Sequence, residues 1–145
     1  MADMRFASFI PEPLREHELG QARNVSELLE QLRQGLPSEM FAQLQTYLGI
    51  SQKALADYLG LSEATLHRRF AEGRFKAEES ERLYRYVELF ERTVSLFEDE
   101  VKARAWLEKP ALALGGATPL AFAKSEQGAR AVLDLIERLE YGVLG

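Results

Sequence analysis

The stretch Ser51–Phe70, SQKALADYLGLSEATLHRRF, has the spacing of two short helices joined by a tight turn. Ala56 lies four residues after Gln52, where a helix-turn-helix needs a small side chain because the second helix crosses close above the first. Gly60 lies four residues further on, where the turn favours a residue that tolerates positive φ. The inward-facing positions are expected to be Leu55, Leu59, Leu61 and Leu66. The pattern predicts a helix-turn-helix.

The second helix of this motif is the part that enters the major groove of DNA. Ser62 is placed to cap that helix, and polar side chains follow on its start and outer face. An arginine there either pairs with guanine through two hydrogen bonds or binds a phosphate, and the sequence leaves both roles open. We predict a DNA-binding surface made of Gln52, Ser62, Glu63, Thr65, His67, Arg68, Arg69 and Arg74. The alternative is a generic helical hairpin with a basic corner.

Arg69 is a departure from related motifs, which often carry an apolar side chain three positions after the residue equivalent to Leu66. Phe70 is expected to take that inward-facing role one position later, through a slight rotation of the helix. This arrangement would keep both Arg68 and Arg69 available to DNA.

The charge of the chain is uneven along its length. A formal net charge of -5 at pH 7 disfavours nucleic acid at first sight, because neutralisation of phosphate supplies much of DNA affinity. Residues 51–76 are the exception, with five basic and three acidic side chains. Four of those basic side chains fall within residues 68–76, which allows a cationic face on an acidic protein. A solvated helix face is the alternative interpretation.

Outside this motif the apolar residues recur at helical spacing, and no stretch alternates for long enough to make a strand. We therefore predict an all-α fold. Residues with capping side chains stand at the expected helix starts, namely Asn24, Ser38, Thr118 before Pro119, and Ser125. Glu78, Glu79 and Glu81 are expected to stabilise the start of a helix of about twenty residues. Trp106 is expected to pack in the core with Phe90 and Phe97.

The predicted domain organisation has three parts. Residues 1–23 contain Pro11, Pro13 and Gly20 without a sustained period, which predicts an N-terminal arm. Residues 24–97 are expected to form the helical helix-turn-helix domain, and residues 98–145 a small C-terminal helical domain.

Several classes of function are disfavoured by what the sequence lacks. It has no cysteine, and its two histidines, His17 and His67, are not in a metal-binding pattern, so we expect no metal site. Phosphate-loop, dinucleotide and nucleophile-elbow fingerprints do not occur, so we expect no cofactor and no enzyme activity. The sequence also contains no apolar run of membrane-helix length and no recognisable secretion signal, so we expect a cytoplasmic protein without membrane association.

Five short segments, in order, carry a family resemblance. They are TLHRR at 65–69, ESERL at 79–83, AWL at 105–107, LGGATPL at 114–120, and Gly128 followed by YGV at 141–143. With this order and spacing, the chain resembles the Xre-type antitoxins of RES-Xre toxin-antitoxin pairs, also called the ParS or MbcA family. The resemblance extends over residues 36–144.

The resemblance implies that the C-terminal domain captures a RES-domain toxin that acts on NAD and is encoded by the adjacent gene. The toxin, not this chain, would be the enzyme. The C-terminal end of the antitoxin would lie against the toxin's active-site cleft and block it, a role that maps onto Arg138, Leu139, Glu140, Tyr141, Gly142 and Val143. The antitoxin would also bind its own operator DNA and repress transcription of the pair. Because helix-turn-helix modules usually bind two half-sites as dimers, we expect a homodimer within a higher toxin-antitoxin assembly.

The residues of the last helix are compatible with this implication. Its apolar residues share one stripe, namely Ala129, Val132, Leu133, Ile136 and Leu139. That stripe leaves Arg130, Arg138 and Tyr141 for a partner, and arginine and tyrosine are enriched at interface hot spots. The alternative is that Leu139 and Val143 only complete the core of the domain. The alternative function is a stand-alone Xre-type repressor whose C-terminal half dimerises or binds an effector.

Overall fold

The structure is a computed structural model that describes residues 25–142. The predicted N-terminal arm, the Asn24 cap and Val143 lie outside the described residues. The elements in chain order are α1 (Val25–Gln34), α2 (Glu39–Leu48), α3 (Gln52–Tyr58), α4 (Glu63–Glu72), α5 (Ala77–Phe97), α6 (Glu100–Leu107), a 3₁₀ turn (Leu112–Leu114), α7 (Pro119–Phe122) and α8 (Glu126–Glu140). The prediction of an all-α fold is confirmed, because residues 25–142 contain no strand.

The chain divides into two compact units, and the division falls inside α5, between Tyr84 and Arg85. The domain boundary that we predict from the sequence, between residues 97 and 98, stays a prediction. The single helix predicted for this region, 21 residues long, is present.

The core of the first unit consists of side chains from α1 to the first half of α5. Phe41 of α2 is fully buried and contacts the rings of Phe70 and Phe75, with centroids 5.8 and 6.2 Å away. The other fully buried large side chains of this unit are Leu36, Met40, Leu44, Leu48, Leu55, Leu59, Leu66 and Leu83. The predicted leucines therefore face inward, and they hold α3 and α4 against the rest of the unit.

A short antiparallel contact joins the chain before α2 to the chain after α4. The Ser38 amide donates to the Gly73 carbonyl at 2.9 Å, and the Phe75 amide donates to the Leu36 carbonyl at 3.0 Å. The prediction that Ser38 caps α2 is wrong, because its side chain makes no capping hydrogen bond and its backbone is helical. The antiparallel bridge between Pro37 and Arg74 fixes the backbone at Ser38. Ser38 therefore lacks the extended conformation that a cap residue needs.

The second unit contains the end of α5 and the helices α6 to α8. Thr118 accepts a hydrogen bond from the Ala121 amide at 3.1 Å and Ser125 accepts one from the Gly128 amide at 2.9 Å, as predicted. The Tyr86 hydroxyl donates to the Leu120 carbonyl inside the core at 2.8 Å. The ring centroids of Phe97 and Trp106 lie 6.1 Å apart, and both side chains are only half-buried.

Candidate nucleic-acid interface and partner-binding surface

The turn between α3 and α4 has the geometry of a helix-turn-helix. Gly60 adopts φ +68°, and the Leu61 amide donates to the carbonyl of buried Ala56 at 2.8 Å. The short α3 therefore ends directly under the start of α4. The small side chain and the glycine at these two positions are the features from which the motif was predicted.

The second helix of this motif, α4, is capped at both ends. Ser62 Oγ accepts a hydrogen bond from the Thr65 amide at 3.1 Å, and Gly73, at φ +87°, donates its amide to the Arg69 carbonyl at 2.8 Å. Leu66 points inward and is 1% exposed. These contacts fix the helix so that its opposite face is presented to solvent.

Most of the predicted DNA-binding residues are exposed to solvent. Thr65 is half-buried. The exposed ones are Gln52, Ser62, Glu63, His67, Arg68 and Arg74. Arg74 is at the same time attached to the domain, because its guanidinium donates to the Gly35 carbonyl.

Arg69 is not on this surface, which corrects its sequence-based assignment. It is 6% exposed, and its Nε and Nη2 donate to the two carboxylate oxygens of Glu79 at 2.6 and 2.9 Å. Its Nη1 donates to Glu72 at 3.0 Å. Arg69 therefore occupies the inward position that related motifs give to an apolar residue, while Phe70 is half-buried with its ring against Phe41.

The electrostatics of this pair agree with an internal role. The hydrogen bond that Arg69 donates to the Glu79 carboxylate raises the pKa of Arg69. Burial opposes ionisation of Glu79, but the hydrogen bonds from Arg69 and from the Lys76 amide outweigh burial and lower the pKa of Glu79. Glu79 thus stabilises the start of α5, as predicted, and also holds the charge of Arg69.

Three side chains on the outer part of α4 form a chain of hydrogen bonds. Ser62 Oγ donates to Thr65 Oγ1 at 3.0 Å, and Arg68 Nη2 donates to the same Thr65 oxygen at 3.2 Å. The spacing of three residues places them along one side of the helix. The guanidinium of Arg68 is therefore held in a defined position on the exposed face.

Two basic residues near this surface were not among the predicted site residues. Lys53 is exposed and lines a groove together with Ser51, Asp57 and Glu63. Arg82 is half-buried, and its Nη1 lies 4.0 Å from the position of a Cβ on Gly60. The sequence could have identified Lys53, because it is the neighbour of the predicted site residue Gln52. It could not have identified Arg82, because Arg82 follows the Gly60 turn by 22 residues.

The predicted partner-binding residues come together at the end of α8. Arg138 is exposed, Leu139 and Glu140 are half-buried, and Tyr141 is 73% exposed. Gly142 follows at φ +65° with its amide donating to the Leu139 carbonyl at 3.3 Å. The buried stripe of α8 consists of Gly128, Ala129, Val132, Leu135 and Ile136. The core of α8 thus ends one turn before Tyr141.

Two further apolar side chains of the second unit are exposed and were not predicted as site residues. Val101 in α6 is 65% exposed and Leu112 in the 3₁₀ turn is 97% exposed. No sequence signal separates them from buried neighbours such as Ala103 and Leu114.

Among residues 25–142 there is no group of three or more histidine or carboxylate side chains placed to hold a metal ion. In the same part of the chain, every helix is too short or too polar to cross a bilayer.

Comparison with protein families defines the class. Residues 27–88 match the Antitoxin Xre-like helix-turn-helix domain, and residues 93–142 match the Antitoxin Xre/MbcA/ParS C-terminal toxin-binding domain. The first match contains α3 and α4, and the second contains α6 to α8. The chain is thus similar to two-domain proteins that join a helix-turn-helix to a toxin-binding domain.

Individual relatives agree with this class. The chain is 32% identical over 115 residues to Antitoxin Xre of Photorhabdus laumondii, with 78% of each chain covered. It is 34% identical over 118 residues to Antitoxin Xre of Yersinia enterocolitica, with 80% of each chain covered. The chain belongs to the Xre antitoxin family.

Proposed function

We propose that this protein neutralises a RES-domain, NAD-degrading toxin encoded by the adjacent gene, and that it represses transcription of the pair from its own operator. In this account the chain is a binding protein and the toxin is the enzyme. The observation that carries the proposal is the exposed Tyr141, which ends α8 within a region similar to toxin-binding domains.

The end of α8 has the properties of a segment that enters a cleft. Tyr141 leaves 73% of its surface unburied, and Arg138 is exposed in the preceding turn. Tyrosine and arginine supply much of the binding energy at protein interfaces, because they bury large surfaces and make directional hydrogen bonds. We propose that Arg138–Val143 covers the active site of the toxin and excludes its substrate.

The exposed side of the helix-turn-helix supports the second activity. The DNA surface that we propose consists of Gln52, Ser62, Glu63, Thr65, His67, Arg68 and Arg74, without Arg69. One such surface contacts a single half-site, so we propose that a homodimer binds two half-sites about 34–36 Å apart. A larger complex of toxin and antitoxin would contain such homodimers and bind the operator through them.

Co-expression of the chain with the product of the adjacent gene tests the proposal. We expect the two proteins to co-purify, and the complex to consume NAD far more slowly than the partner alone. A matched test uses duplex DNA from upstream of the gene pair, with an unrelated duplex as the control.

A stand-alone repressor is expected to behave differently in these two experiments. That protein would bind the upstream duplex with sequence preference, yet would form no complex with the adjacent gene product. The match of residues 93–142 to a toxin-binding domain favours the antitoxin over this alternative.

A further inference from the structure

The hydrogen bonds among Ser62, Thr65 and Arg68 determine which hydroxyl donates and which accepts on the outer side of α4. Ser62 Oγ already accepts from the Thr65 amide, and it uses its single hydrogen to donate to Thr65 Oγ1. Thr65 Oγ1 also accepts from Arg68 Nη2. A hydroxyl has two acceptor positions and one hydrogen, so both acceptor positions of Thr65 are occupied.

Thr65 and Arg68 therefore offer only hydrogen-bond donors to an external ligand. Thr65 keeps its hydroxyl hydrogen, and Arg68 keeps four of the five N–H groups of a guanidinium, which has no acceptor. Two neighbouring side chains that offer donors alone match a ligand edge that carries acceptors alone. In the major groove guanine presents two acceptors, N7 and O6, whereas adenine and cytosine present an amino group and thymine presents a methyl group beside one acceptor.

We propose that Arg68 reads a guanine in each half-site of the operator, and that Thr65 is the positioning residue that makes this reading specific. The inference rests on the proposed DNA-binding function and adds the base that the protein selects. Arg69 takes no part, because its guanidinium is occupied by Glu79 and Glu72 inside the domain. Arg68 is thus the arginine of α4 that remains on the exposed face.

A phosphate also carries acceptors alone, and the two ligands are separated by how variants behave. A phosphate contact strengthens binding to every sequence equally, and its loss lowers the salt dependence of binding by about one unit of slope. A base contact strengthens binding to one base at one position and leaves the salt slope nearly unchanged. The test therefore measures sequence preference and salt dependence together.

The experiment uses the full chain and a pool of random-sequence DNA duplexes, from which bound sequences are recovered and read. The wild-type protein is expected to retain guanine at one position of each half-site. Arg68→Gln is expected to shift the preference at that position to adenine, because a glutamine amide pairs with adenine N6 and N7. Thr65→Val is expected to reduce discrimination for guanine by at least about fivefold, whereas Thr65→Ser, which keeps the hydroxyl, restores it.

Thr46→Val is the matched control for loss of a threonine hydroxyl. Thr46 is exposed in α2 and its hydroxyl donates to the Ala42 carbonyl within the same helix, so this variant is expected to keep the wild-type preference. Thr65→Val retains the Ser62 cap on the residue 65 amide, and thermal unfolding checks that α4 is intact.

Each remaining outcome is decisive. If Arg68→Gln weakens all sequences equally and lowers the salt slope, Arg68 binds phosphate and the inference is overturned while the DNA-binding function stands. If Thr65→Val leaves guanine preference unchanged, the positioning role of Thr65 is overturned. If the wild-type protein selects no sequence from the pool, the proposed DNA-binding function fails together with the inference.

Discussion

Arg69 and Glu79 form a buried, two-pronged ion pair that joins the recognition helix to the long helix after it, with N···O distances of 2.6 and 2.9 Å. Ten residues separate the two side chains in sequence. The pair fixes α4 from its inner side, while Arg68 occupies the neighbouring exposed position. Adjacent arginines therefore have opposite roles, one structural and one on the surface that we propose for DNA.

Substituting these two arginines separately is expected to give opposite results. Arg69→Ala leaves the Glu79 carboxylate buried without its partner, so it should lower the thermal unfolding temperature clearly. DNA affinity of the folded Arg69→Ala protein should stay within about threefold of wild type, which corresponds to about 0.6 kcal/mol. Circular dichroism melting and DNA-binding titrations below the unfolding temperature provide the two measurements.

Arg68→Ala is the companion variant, and it should change the free energy of unfolding by no more than about 0.5 kcal/mol, as exposed substitutions usually do. Its DNA affinity should fall by about 5- to 150-fold, the range for loss of one specific arginine contact. Equal losses of DNA affinity in the two variants at equal stability would contradict the separation of roles.

A buried carboxyl group in the second unit is expected to make stability depend on pH. Glu91 in α5 is 3% exposed, and its pKa is raised to about 8, mainly by burial and also by the nearby charge of Glu88, against a lowering by Arg92. The unfolded chain has the ordinary pKa of about 4.3, so between these two values the folded protein holds the extra proton. Stability from this group is therefore full below about pH 4.3 and is lost as the pH rises through about 8.

Chemical denaturation of the wild type and of Glu91→Gln at several pH values measures this effect. Between pH 5 and 8 the wild type should lose up to about 1.4 kcal/mol per pH unit relative to the variant, whose amide does not titrate. Parallel pH profiles for the two proteins would show that Glu91 is ionised in the folded state.

Gly128 is expected to be intolerant of alanine, although alanine normally favours a helix over glycine by about 1 kcal/mol. A Cβ on Gly128 would lie 1.8 Å from the Phe122 carbonyl oxygen, a backbone atom that a rotamer change cannot move away. Gly128→Ala should therefore destabilise the protein by about 1–3 kcal/mol or more. Gln127→Ala, at the exposed neighbouring position of α8, is the control and should be nearly neutral in the same unfolding experiment.

Tyr141 is expected to dominate toxin capture by the end of α8. Tyr141→Ala should weaken binding to the adjacent gene product by about 30-fold or more, as for a hot-spot residue that contributes about 2 kcal/mol. Gln127→Ala changes an exposed side chain on the same helix outside the proposed binding segment, so its affinity should match wild type. Equal affinities for the two variants in a calorimetric titration would remove Tyr141 from the interface.

The sequence predicted those features that depend on near neighbours. The Ser62, Thr118 and Ser125 caps and the Gly60 turn follow from residues within four positions of each other, and all are present. The helix-turn-helix was predicted for the same reason, whereas the toxin-binding domain was implied by the resemblance to the family.

Features that depend on distant contacts were not predictable in this way. Arg69 was assigned to the surface because a charged side chain is usually exposed, and its partner lies in another helix. Ser38 was assigned as a cap, but the bridge to residues 73–75 determines its backbone. In both cases tertiary contacts override the local preference of the residue.

The rate of NAD consumption by the adjacent gene product measures whether the end of α8 blocks the toxin. The rate is compared in the presence of the full chain and of a chain truncated after Glu137, with melting and DNA binding used to verify that the truncated chain is folded. We predict that the full chain abolishes NAD consumption and that the truncated chain leaves most of it. Complete inhibition by the folded, truncated chain would show that residues after Glu137 are not needed to block the toxin.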